Sequence, residues 1–205
     1  MIEFYDVSTW QNPSNVAALV KTNGDKILAI KASEGASIHD GKTIAHVTAT
    51  KNMIDVYIFY HFMRCDKNAK NISAEVANFF SAVHEVKERC GIEKAVLALD
   101  FERCTNRQKF SDYANPAHRE ALRRAIEIIT LEKGHAPYVY ACESEMRGLL
   151  NNGVQIDWRW VAKYSCFKPS TICGIWQYTN TGGKIDRNKF FGESIERLKR
   201  HAVAI

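Results

Sequence analysis

No stretch of this chain is apolar over anything near the ~20 residues that a membrane-spanning helix requires, so nothing in it reads as a transmembrane segment. Low-complexity runs are absent. With 46% hydrophobic and 25% charged residues, the composition argues against disorder. The six cysteines, Cys65, Cys90, Cys104, Cys142, Cys166 and Cys173, form no C-x-x-C pair. That disfavours a zinc ribbon or a thiol redox motif and leaves unpaired, reduced thiols as the expectation. A P-loop, zinc-finger spacing, an aromatic ribonucleoprotein motif and H-E-x-x-H are also missing. The usual signatures of nucleotide, nucleic-acid and metal chemistry are therefore lacking, and neither a metal nor a cofactor is expected. The opening residues, "MIEFYDVSTW", have no charged n-region and no apolar h-region. Synthesis in the cytoplasm without a signal peptide is the expectation.

What is present suits one folded unit. The 205 residues suffice for one sizeable core and are expected to form a single domain over 1–205, with no separate wall-binding domain. The net charge of +5 and the pI near 8.8 suit a polyanionic partner, such as nucleic acid or an acidic cell-wall polymer. The basic residues are scattered, however, and the small clusters "ALRRAIE" and "ERLKRH" read as solvated helix faces.

Strand-like segments rich in Val, Ile, Tyr, Phe and Trp recur at 2–8, 26–33, 55–63, 94–102, 136–142, 158–165 and 174–179, with a weaker eighth at 184–190. Helical signals lie between them. Asn12-Pro13 and Asn115-Pro116 each pair an N-cap with a proline at the first helical position. Residues 73–91 have apolar spacings of three and four and end on Gly91, and the second of the Asn-Pro helices ends on Gly134. A short helix around 143–151 and a last one from about 193 complete the set. Strands alternating with helices, and no G-x-G-x-x-G after the first strand, predict a closed TIM-like (β/α) barrel of about eight strands over an open nucleotide-binding sheet. The last three strands have little helix between them, so the barrel is expected to be irregular in its C-terminal third.

In such a barrel the chemistry gathers at the C-terminal ends of the strands. Asp6 and Ser8, Glu34, Tyr60 to Phe62, Asp100 and Glu102, Tyr140, Trp160 and Tyr164, Gln177 and Tyr178, and Asp186 and Asn188 end successive candidates. By alternation Asp100 and Glu102 share a face with Val96 and Ala98, and Asp6 with Ile2 and Phe4. Taken singly these have bland readings: a strand-end Asp as a cap, His61 as a hydrogen-bonded histidine, Trp158, Trp160 and Trp176 as core. Taken together, several acids and aromatics on one rim suit a neutral sugar polymer, with carboxylates for acid chemistry and aromatic faces for sugar C–H surfaces.

Seven pieces in order, "DVSTWQ", "IKASEG", "YHF", "LDFE", "WVAKY", "WQYT" and "DRNKF", make the chain resemble glycoside hydrolase family 25, the lysozymes (muramidases) of bacterial and phage endolysins. It departs from that pattern at "YIFYHF", where glycines are usual, and at a shortened "TNTGGKIDRN". The resemblance implies cleavage of the β-1,4 bond between N-acetylmuramic acid and N-acetylglucosamine. It implies Glu102 as general acid, Asp100 as the group that positions the reacting acetamido, and Asp6 and Asp186 as further acids. Glu34, Tyr60, Tyr140, Trp160, Tyr164 and Gln177 are the expected saccharide contacts. Spacing favours substrate-assisted, retaining hydrolysis, with Asp6 or Asp186 left open as the base for an inverting water. A barrel that binds carbohydrate without turnover is the alternative. The partner implied is the peptidoglycan glycan strand, attacked by a monomer after holin-type or other leaderless release, with no role for nucleic acid or membrane.

Overall fold

A computed structural model of the chain describes residues 1–103, 110–179 and 185–205. The first half runs β1 (Ile2–Val7), α1 (Pro13–Asn23), β2 (Ile27–Glu34), β3 (Ile38–His39), α2 (Thr43–Thr50), β4 (Val56–Phe62), α3 (Cys65–Asn68) and α4 (Ile72–Cys90). The second runs β5 (Lys94–Asp100), α5 (Pro116–Lys133), β6 (Tyr138–Cys142), α6 (Glu143–Asn151), β7 (Trp158–Ala162), β8 (Ile175–Thr179), β9 (Asp186–Phe190), α7 (Ile195–Lys199) and β10 (Val203–Ala204). Strands β1, β2, β4, β5, β6, β7, β8 and β9 pair in that order, and β9 pairs back to β1 to close the barrel. Every neighbour is parallel except β8–β9 and β9–β1. The irregular C-terminal third expected from sequence is therefore a parallel β7–β8 pair joined without a helix, closed by one antiparallel strand.

Two apolar layers follow from strand alternation. Phe4, Ile27, Ala29, Ile58, Val96, Ala98, Tyr138, Trp160 and Ile175 point into the barrel. Leu28, Ile30, Phe59, Leu97, Leu99, Val139 and Val161 point outward onto the helices. Helix α4 covers them with Ile72, Val76, Phe79, Val83, Val86 and Cys90, spaced by three and four. Asn12 caps α1 by accepting from the backbone N–H groups of Ser14 and Asn15, Asn115 caps α5 in the same way at Ala117, and Gly91 and Gly134 end α4 and α5 in the left-handed region.

Several expectations shift. The strand expected to reach Glu102 ends at Asp100, where its ladder with β6 stops at Tyr140. Alternation nevertheless continues, because Phe101 is fully buried in the outer layer and its N–H donates to the Tyr140 carbonyl. Helix α2 is not legible in the sequence, because "TIAHVTAT" is full of β-branched residues and its N-cap, Lys42, makes no side-chain capping bond. The helix expected from about 193 is only α7. The chain then adds β10 antiparallel to the start of β5, which β6 leaves unpaired below Ala98. Among the described residues Cys65, Cys90, Cys142, Cys166 and Cys173 are free thiols, and Cys104 lies outside them. Among those residues, too, no helix is long and apolar enough to cross a membrane, and no three His, Cys, Asp or Glu side chains are grouped to hold a metal ion.

Candidate active site

The barrel interior changes character at its C-terminal rim. On β5 the inward series Val96, Ala98 continues as Asp100 and Glu102; on β1 Phe4 is followed by Asp6; on β4 Ile58 is followed by Tyr60. Strand β9 runs the other way, so its first residue, Asp186, lies directly opposite Asp6. Asp6, Tyr60, Asp100, Glu102, Tyr140, Trp160, Gln177 and Asp186 line one cavity of about 90 Å³. An adjoining cavity of about 210 Å³ shares Asp6, Tyr60 and Asp186 and is walled by Trp10 and Gln11. A larger one, about 740 Å³, lies outside the barrel against α1, α2 and α4 and holds none of the rim acids. Volume alone does not make a site. Convergent, perturbed carboxylates do, and they lie at the rim.

One hydrogen-bond chain fixes the floor. Trp160 Nε1, which can only donate, gives its hydrogen to Asn188 Oδ1 at 2.8 Å. That forces Asn188 Nδ2 toward Asp6 Oδ2, at 2.6 Å. Tyr140 and Tyr164 hydroxyls both donate to Gln177 Oε1, at 2.8 and 2.9 Å, which turns Gln177 Nε2 onto the same Asp6 oxygen at 2.9 Å. Tyr60 donates to the Val7 carbonyl at 3.3 Å. Asp6 thus holds two neutral donors, yet burial outweighs them and raises its carboxyl above the usual range.

Asp100 is more extreme. Only 6% of it is exposed, and its Oδ1 has no hydrogen-bond partner. Burial, then the nearby charge of Glu102, pushes its carboxyl well up, with Lys31 the main counterweight. Glu102 is raised to about 7 by burial first and then by Glu145, Asp6 and Asp186. Asp186 reaches about 7 through burial and Asp6. So many acids share one low-dielectric pocket that the cluster holds protons near neutral pH.

Eight of the ten residues singled out in the sequence meet at this cavity. Tyr164 touches it through Gln177 and is 55% exposed. Glu34 is outside the lining, its two oxygens held by Lys31 at 2.6 Å and Arg64 at 2.8 Å. Trp158 packs with His135 and His201 instead, and Trp176 stacks on Phe191. His61 is buried between Ser33 and Glu75, behind the sheet. The sequence does not single out Trp10, Lys31 or Glu145 individually. Alternation could have flagged Lys31, which follows Ile27 and Ala29 on the inward face of β2. Trp10 is 85% exposed and carried a signal only as part of "DVSTWQ".

Residues 5–186 match the sequence profile of Glycosyl hydrolases family 25. The chain belongs to that family. The enzyme is therefore a glycoside hydrolase. It is 25% identical to Lysozyme M1 of Streptomyces globisporus over 214 aligned residues, covering 96% of this chain and 70% of that protein. The catalytic domain of endolysin ply40 from bacteriophage P40 of Listeria monocytogenes shares the fold with a TM-score of 0.78, 22% identity and 97% of each chain covered. The lysozyme of Streptomyces coelicolor shares it with a TM-score of 0.75, 24% identity and 98% and 96% covered.

Proposed function

We propose that this family 25 enzyme is a peptidoglycan hydrolase of the lysozyme type, acting on the cell wall, with Glu102 as general acid. It cleaves the β-1,4 bond between N-acetylmuramic acid and N-acetylglucosamine. The observation that carries this is the rim cavity itself, where Glu102 is held to about 7 beside a second, more deeply buried carboxyl. A general acid works best with its pKa near the working pH. Trp10, Tyr60, Tyr140 and Trp160 supply aromatic surface for sugar rings.

Asp100 fits a substrate-assisted path. Its unpartnered oxygen lacks a donor, and a 2-acetamido N–H entering the cavity supplies one. That bond favours the ionised form of Asp100, so the proton of the pair settles on Glu102. Glu102 then protonates the leaving glycosidic oxygen as the acetamido carbonyl oxygen attacks the anomeric carbon. The oxazolinium ring so formed is opened by a water that returns its proton to Glu102, and configuration is retained.

A second reading has one observation in its favour. Asp186, held near 7 across from Asp6, has the basicity of a general base for an inverting water. The anomer of the first product separates the two. The retaining path gives the β-anomer and fails on walls de-N-acetylated at the muramic acid; an initial α-product, or undiminished cleavage of such walls, excludes it. Glu102→Gln tests the assignment common to both. It is expected to keep a native circular-dichroism spectrum and lose on the order of 10²–10⁴ in rate; a folded variant with more than about a tenth of wild-type activity refutes it.

A further inference from the structure

The first turn of α6 carries two glutamates with opposite surroundings. Glu143 accepts from Ser170, the Thr171 backbone and Lys163, which together outweigh burial and bring it down to about 2. Glu145 points inward instead. It is 4% exposed, and its Oε2 has no partner. Its other bonds come from the Cys142 thiol and the backbone N–H of Arg103, the residue that follows Glu102. Helix α6 is docked closely enough for this because Gly148 lies under the Tyr113 ring, where a Cβ would come within 2.4 Å of the ring.

The backbone that carries Glu102 has left the sheet, and three successive bonds hold it. Phe101 N–H donates to the Tyr140 carbonyl at 2.9 Å, the Glu102 carbonyl accepts from Ser111 N–H at 3.3 Å, and Arg103 N–H donates to Glu145. The Arg103 guanidinium meanwhile pairs with Asp112 at 3.2 Å and leaves the second Glu145 oxygen bare. A buried carboxylate with an unpaired oxygen is unfavourable to keep. Here the rest of the carboxyl engages the segment that bears the proposed general acid.

We propose that Glu145 is a positioning residue for Glu102, tying down the backbone at Arg103 and placing a carboxyl group behind the general acid. This rests on Glu102 being that acid. The groups facing Glu102 are Asp6 from β1, Lys31 from β2, Tyr60 from β4, Asp100 from β5, Tyr140 from β6, Glu145 from α6 and Asp186 from β9. Among the charged ones Glu145 raises Glu102 most, ahead of Asp6 and Asp186 and against Lys31. Burial raises Glu145 itself above the usual carboxylate range, opposed by the Cys142 thiol and Arg103 and reinforced by Asp112, so its charge acts on Glu102 once Glu145 has ionised. A nearby negative charge keeps Glu102 protonated to higher pH, so removing it moves the alkaline limb of activity downward.

Glu145→Gln keeps the shape and an acceptor for Arg103 N–H while removing the charge. The Glu102 carboxyl is followed by carbon-13 NMR of the whole enzyme, its resonance identified with Glu102→Gln, alongside the pH profile of wall cleavage. In Glu145→Gln the Glu102 midpoint and the alkaline limb both fall by about one pH unit; in Glu145→Asp, which keeps the charge, both stay near wild type. Loss of stability alone would lower activity at every pH without moving the midpoint. An unmoved Glu102 midpoint in Glu145→Gln overturns the inference, whatever Glu102 does in catalysis. Activity surviving in Glu102→Gln would instead remove Glu102 from its role and leave the NMR result standing. If the Gln variant does not fold, the Asp variant decides: a fall of a full unit with the charge retained overturns the role.

Discussion

Asp100 and Glu102 occupy the same inward face of one strand and its extension, and burial acts on both before any neighbour does. Buried acids of this kind weaken the fold wherever they must ionise. Glu102 is raised from 4.5 to about 7, so its stabilising contribution is present below about 4.5 and is lost as pH rises through 7. Glu102→Gln removes that dependence. Allowing for partial exposure and shared protons, the variant is expected to gain about 2 kcal/mol over wild type at pH 8 and almost nothing at pH 4. Thermal unfolding of both proteins at the two pH values measures it, and a gain independent of pH would contradict the assigned shift. A neighbouring test concerns the floor of the site. Asn188→Ala strands the Trp160 indole N–H and takes one donor from Asp6. It is expected to cost about 1–3 kcal/mol, read as a lowered midpoint in urea.

At the scale of elements, α6 meets the loop ahead of α5 through Gly148 and Tyr113. Gly148→Ala would put a methyl group into the Tyr113 ring, and it is expected to destabilise by about 1–3 kcal/mol despite alanine's higher helix propensity. Stability equal to or above wild type in chemical denaturation would show that the ring can move aside. Elements with strong local signals were legible in the sequence. Asn12-Pro13 and Asn115-Pro116 mark helix starts, Gly91 and Gly134 mark helix ends, and the inward alternation of Val96, Ala98, Asp100 and Glu102 carries past the end of β5. The rest depended on tertiary context. Helix α2 is composed of residues that also suit strands, and β10 exists only because the start of β5 offers a free edge. Glu145 carried no sequence signal, since its neighbour Glu143 has the same residue type in the same turn and faces outward. Glu34 read as a rim acid, but Lys31 and Arg64, neither adjacent to it in sequence, occupy its oxygens.

At the scale of the whole molecule, closure of the barrel is what assembles the site. Were all eight strands parallel, the start of β9 would lie at the opposite end. Because β9 runs antiparallel to both β8 and β1, its first residue reaches the acidic rim, and its third, Asn188, reaches Asp6. Strands β1 and β9 thus complete a pocket whose proposed general acid, Glu102, comes from the middle of the chain. The proposed hydrolysis at the muramic acid side of the glycan repeat is reported most directly by the bond cut. Purified peptidoglycan is digested with the wild-type enzyme, reduced with borohydride and analysed by mass spectrometry. New reducing ends on N-acetylmuramic acid, absent from a parallel digest with Glu102→Gln, are the predicted result. Reducing ends on N-acetylglucosamine, cleavage confined to the peptide stems, or identical digests from the two proteins would contradict it.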